Sequence, residues 1–101
     1  MRWPALFLLC LYLPIASAKN ILVVESYHAS FKWDQDYRRA LSEALTPGHT
    51  LEFFEMDTKR LPVEKHAAMG QKAVARIKES TPALVVMGDD AALKHVGPEL
   101  E

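Results

Sequence analysis

Two short runs without a single polar residue constrain this fold most: Ile21-Leu22-Val23-Val24 and Ala83-Leu84-Val85-Val86-Met87. A strand of continuous apolar sequence belongs in a sheet covered on both faces, which is the usual state of a parallel sheet. The segments between the runs supply the covering layers. From Trp33, apolar residues recur at Tyr37, Leu41, Ala44 and Leu45, one stripe of a helix, and Thr46-Pro47-Gly48 stops it. Leu51 to Met56 (LEFFEM) partly alternates, so it reads as a strand with one wetter side, at a sheet edge. A second helix opens near Pro62 and buries Ala67, Gly70, Ala73, Val74 and Ile77, small residues suited to close packing. Ser80-Thr81-Pro82 ends it. After the second apolar run, Gly88-Asp89-Asp90 offers an aspartate to cap a third helix, running through Leu93 and Val96 to Gly97-Pro98.

The order is βαβαβα. Alternating strands and helices imply an α/β fold, a three-layer arrangement with a parallel sheet and right-handed crossovers. The wetter second strand belongs at the edge, which predicts strand order 2-1-3. Ligands of open α/β sheets bind outside the carboxyl ends of the strands, where the strand order reverses. Here that point lies between strands 1 and 3. The loops Ser26-Tyr27-His28 and Gly88-Asp89-Asp90 flank it, and Asp57-Thr58-Lys59-Arg60 follows strand 2 on the same rim.

The start of the chain is set apart. A weakly basic beginning (Met1-Arg2-Trp3-Pro4), an apolar stretch from Ala5 to Ile15 and small residues at Ala16-Ser17-Ala18 form the three-part pattern of a secretory signal peptide. The apolar stretch is shorter than the about 20 residues that span a bilayer. The domain division is therefore residues 1–18 as signal and 19–101 as the exported domain, with a periplasmic location. Cys10 is preceded by Leu9 rather than a small residue, which argues against lipid modification. The remainder has no cysteine, so a disulfide is excluded and the domain depends on its apolar core. The 12 Lys and Arg stand against 13 Asp and Glu. With Arg2 the sole one of these ahead of Lys19, the exported part is acidic by two charges. That excludes a basic field for nucleic acid or anionic lipid.

Three chemistries suit VVESYHASFKWDQDY, residues 23–37. In a hydrolase, Ser26 and His28 would act as a dyad, but no G-x-S-x-G elbow accompanies them. Asp34 and Asp36 read more simply as first-turn acids facing the helix dipole. In a phosphoryl or metal site, Asp57, Asp89 and Asp90 would serve, yet strand 1 ends in a lone Glu25 where a receiver domain needs an acidic pair. No G-x-G-x-x-G follows strand 1, and His49, His66 and His95 lack ligand-like spacing to one another. No cofactor, no metal and no catalysis are expected. Trp33 and Tyr37, one turn apart, read as core packing. In the third chemistry, small-molecule capture, Tyr27 offers an aromatic face, Ser26 and His28 short polar contacts, and Asp89 or Asp90 a partner for a ligand cation.

ILVVESYHASFKWDQDY, EMDTKRLP and PALVVMGDDAAL, in this order behind an export signal, resemble the start of periplasmic substrate-binding proteins of ABC transporters. The group is the ABC-type substrate-binding family, with the type 1 periplasmic-binding-protein fold. The resemblance covers nearly all of residues 19–101. It implies ligand-binding positions at Ser26, Tyr27 and His28, at Asp57 and Thr58, and at Gly88, Asp89 and Asp90. It also implies a small organic ligand handed to an ABC permease in the membrane. Similar domains serve as extracytoplasmic sensors of histidine kinases and diguanylate cyclases, so sensing is the alternative. Family members have two lobes joined by a hinge. Against that pattern, residues 19–101 correspond to an incomplete N-terminal lobe.

Overall fold

Ile21 to Val24 become the interior of the middle strand. The computed structural model describes residues 19–46 and 48–100. The export-signal reading and Cys10 fall on residues 1–18, and one residue of the helix stop is Pro47; these lie outside the described residues. The elements are β1 (Asn20–Glu25), α1 (Lys32–Leu45), β2 (Thr50–Glu55), α2 (His66–Ser80), β3 (Leu84–Gly88) and α3 (Asp90–His95). Short 3-10 turns at Val63–Lys65 and Gly97–Leu100 precede α2 and follow α3. The sheet has three parallel strands in the order β2-β1-β3, the 2-1-3 arrangement expected.

Side chains alternate across a strand, so the register sorts them onto two faces. Leu22 and Val24 lie beside Phe54, Val85 and Met87. This face packs on Met56, Ala73, Val74, Ala92 and Val96, and forms the core beneath α2 and α3. Ile21, Val23 and Glu25 lie beside Leu51, Phe53 and Glu55 on the opposite face, which receives α1. Residues 21 to 25 are almost completely buried. β3 differs from its expectation: Leu84 is 52% exposed and Val85 to Met87 are half-buried. Its outer side pairs with no strand among the described residues, so apolar sequence alone did not bury it. Ala67, expected in the buried stripe of α2, and Leu93 of α3 are also exposed.

Two close approaches fix the layers. A Cβ on Gly70 would lie 2.6 Å from the Cβ of His95, so glycine sets the spacing of α2 and α3. A Cβ on Gly88 would lie 2.5 Å from the Tyr37 hydroxyl and 2.7 Å from the ring carbon bearing it. α1 therefore rests directly on the end of β3. α2 closes with Thr81 in the left-handed region at φ 43°, its N–H donating to the Ile77 carbonyl. α3 opens with Asp89 at φ 75° and ψ −175°, a conformation that costs a non-glycine residue about 1–3 kcal/mol. The Asp89 carboxylate accepts the Asp90 N–H at 2.9 Å, as the expected cap.

Substituting Gly88→Ala forces the added methyl into the buried Tyr37 phenol. The expected loss is about 2 kcal/mol, typical of an overpacked core. Urea denaturation of the wild-type and variant chains measures it as a lowered midpoint with an unchanged slope.

Candidate functional site

The parallel ladder between β1 and β2 continues past both strands and builds the rim. Met56 N–H donates to the Glu25 carbonyl at 2.8 Å, Asp57 N–H to Tyr27 O at 2.9 Å and Thr58 N–H to Ser26 O at 3.0 Å. The Thr58 hydroxyl adds a second bond to Ser26 O at 2.7 Å. On the other side, Ser26 N–H donates to the Gly88 carbonyl at 3.1 Å, and its hydroxyl donates to the same oxygen at 2.6 Å. That hydroxyl also accepts the Ala92 N–H of α3 at 2.9 Å, satisfying one of the donors a helix start leaves free. The buried Ser26 thus ties the ends of β1 and β3 to α3.

The Ser26 hydroxyl is committed to this framework, and the His28 ring pairs through Nδ1 with the Ser30 hydroxyl at 2.8 Å. The dyad weighed from the sequence is not assembled. Tyr27 and His28 both pack edge-on against Phe31, at 5.1 and 5.9 Å between centroids. Asp57, left-handed at φ 61°, pairs with Arg60 at 2.6 Å.

Glu25 is fully buried at the end of the central strand. Arg38 holds it with a two-pronged contact: Nε donates to Oε2 at 2.9 Å and Nη2 to Oε1 at 2.6 Å. This geometry is the strong form of an ion pair. The same guanidinium lies 4.1 Å from the Phe53 ring centroid and 3.6 Å from Glu55 Oε2. Glu55 in turn accepts the Ala29 N–H at 2.8 Å and so braces the first loop. The hydrogen bond that Arg38 donates to Glu25 raises the Arg38 pKa above its ordinary value.

Anchoring Arg38 sets the rotation of α1 and corrects one expectation. Trp33 faces solvent at 63% exposure rather than the core. Asp34 is the first-turn acid expected, but it is fully buried, and neither carboxylate oxygen has a hydrogen-bond partner among the described residues. Burial pushes its carboxyl up to about 6, and the Glu25 charge adds to the effect. The nearby Tyr27 backbone N–H and His28 pull the other way, without a well-formed hydrogen bond. The Tyr37 hydroxyl is likewise buried without a partner, and burial raises its pKa. Asp36 is the surface acid, paired with Lys32 at 2.7 Å and Arg39 at 3.1 Å; the Lys32 hydrogen bond lowers its pKa.

On the α2–α3 side of the rim lies an open groove of ≈ 500 Å³. It is lined by Tyr27, Thr58 and Lys59 from the loops after β1 and β2, and by His66, Asp90 and Lys94 from α2 and α3. Of the positions predicted from the sequence, Tyr27, Thr58 and Asp90 line the groove. Ser26, Gly88 and Asp89 shape the strand ends beneath it, while His28 and Asp57 lie on the neighbouring loops. Sequence reasoning missed Lys59, His66 and Lys94. Lys59 adjoins Thr58, and Lys94 stands four residues after Asp90, a spacing that shares one helix face. Among the described residues, no three His, Asp or Glu side chains gather as metal ligands, and no helix is long and apolar enough to cross a membrane. Comparison with known protein families, curated proteins and solved structures finds no match for this chain.

Two predictions follow from the buried charges. Arg38→Met strands the Glu25 carboxylate in the interior and lowers stability by about 3 kcal/mol in urea denaturation at neutral pH. Asp34 carries the opposite sign from a stabilising acid. Its folded pKa of about 6 exceeds the ordinary aspartate value of 3.8, so the folded state holds the proton more tightly and stability falls as pH rises from about 4 to about 6. Asp34→Asn removes that slope and leaves the chain about 1–2 kcal/mol more stable than wild type at pH 7, measured as urea midpoints across the pH range.

Proposed function

We propose that this chain is an exported solute-binding domain. It captures a small organic ligand at the strand-end rim and presents it to an ABC permease, without chemical conversion. The observation that carries this reading is the groove of ≈ 500 Å³ outside the carboxyl ends of the strands. Small-molecule pockets have about this size, in the range of roughly 300–1,000 Å³, and parallel α/β sheets use this end of the strands. The groove combines an aromatic face from Tyr27 with ammonium and carboxylate groups from Lys59, Lys94 and Asp90. These groups orient a ligand. The hydroxyls of Ser26 and Thr58 are bonded into the scaffold instead. The resemblance of SYH, MDTKR and GDDAAL to the substrate-binding family supports the same reading, and the export pattern of residues 1–18 is in keeping with a periplasmic location.

Thermal unfolding of the full chain against a panel of amino acids, organic acids, amines and sugars tests the reading. A ligand present at about 100 times its Kd adds about 2.7 kcal/mol to the folded state. At least one class raises the midpoint in a saturable way, the compound is recovered unchanged, and Tyr27→Ala abolishes the effect. Turnover of the compound, or no stabilisation by any class, contradicts the proposal.

A further inference from the structure

We propose that the groove selects organic anions, specifically a carboxylate carried on an apolar or aromatic body. This deepens the solute-binding reading and rests on it. The first observation is an inversion of charge. Residues 19–101 are acidic by two charges, yet Lys59 and Lys94 both line the groove against the single carboxylate of Asp90. Neither lysine belongs to an ion pair among the described residues. Asp90 sits in the first turn of α3, where the helix dipole favours an acid. Lys94 likewise suits the last turn of α3, but Lys59 lies on a loop and has no helix dipole to satisfy.

The second observation is how Lys59 is held. Its ammonium lies 5.0 Å from the Tyr27 ring centroid and 5.3 Å from that of Phe31. Cation–π attraction therefore keeps the charge over the aromatic wall of the groove, positioned before any ligand arrives. His66, in the same lining, donates through Nε2 to the Leu61 carbonyl at 3.0 Å, which fixes its ring. The His95 ring meets it edge-on at 6.5 Å. The third observation is apolar surface. Val63, 71% exposed, and Ala67 lie in the same groove. They offer a ligand body a dry contact while the two ammonium groups take its carboxylate. A cationic ligand would meet both lysines with only Asp90 to offset them.

Amide-resolved NMR titration of the full chain at neutral pH tests this with three probes of matched shape: benzoate, benzamide and benzylamine. Benzoate shifts the amides of Tyr27, Ala67 and Ala91 in a saturable way, benzamide binds at least about fivefold more weakly, and benzylamine leaves these signals in place. Lys59→Gln and Lys94→Gln each weaken benzoate about five- to tenfold, and added salt weakens it further. Lys72→Gln, on the exposed side of α2, does not. Both groove lysines are exposed, so their substitution leaves the fold intact. Equal binding of benzoate and benzamide at these residues, or preference for benzylamine, overturns the anion assignment but leaves solute capture standing. No groove shift from any probe at millimolar concentration overturns both.

Discussion

The contact on which the arrangement depends is the buried ion pair of Glu25 and Arg38. Glu25 ends the central strand at 0% exposure. An ionised carboxylate in that position persists only when it is paired and hydrogen-bonded. Arg38 meets both oxygens. Because Arg38 lies in the second turn of α1, satisfying Glu25 also fixes how the helix is rotated on the sheet. Trp33 is turned outward, Asp34 inward, and Tyr37 lies against Gly88. Through Glu55, which bonds Ala29 and approaches the same guanidinium, the network reaches the loop that carries Tyr27 and His28.

The rim follows from similar economy in polar groups. Ser26 contributes its amide, hydroxyl and carbonyl to bonds with Gly88, Ala92 and Thr58. Three chain segments are thereby held at one point with no polar atom of Ser26 left over. The groove lies beside this knot. Lys59 and Lys94, which line it, form no ion pair among the described residues. Asp34 is the unbalanced element. Its buried carboxyl has no hydrogen-bond partner among the described residues, and burial together with the charges of Glu25 and Asp89 raises its pKa.

The fold was legible because its signals were local. The runs at 21–24 and 83–87, the wetter LEFFEM strand and the breakers between them were enough for strand order 2-1-3. What the sequence concealed depended on long-range pairing. A stripe through Trp33, Tyr37 and Leu41 satisfies helical periodicity. It gives no hint that Arg38 must reach Glu25 thirteen positions earlier in the chain and rotate that stripe. Glu25 read as a lone acid for the same reason. At the rim, the sequence located loops that border the groove but not the bonding of individual residues. Ser26 and Gly88 looked like ligand contacts because they flank the switch point, yet their bonding and packing run into the scaffold. Lys59, from the loop after β2, and Lys94, from α3, border one groove only in the folded chain, which no spacing rule reveals.

A double-mutant cycle on Glu25 and Arg38, followed by urea denaturation at neutral pH, tests the organising role of this pair most directly. The single variants Glu25→Gln and Arg38→Met are compared with the chain carrying both. The account predicts that the double variant is much less destabilised than the two single losses together, with a coupling energy of about 2 kcal/mol or more. Simple additivity, with coupling within about 0.5 kcal/mol of zero, would contradict it.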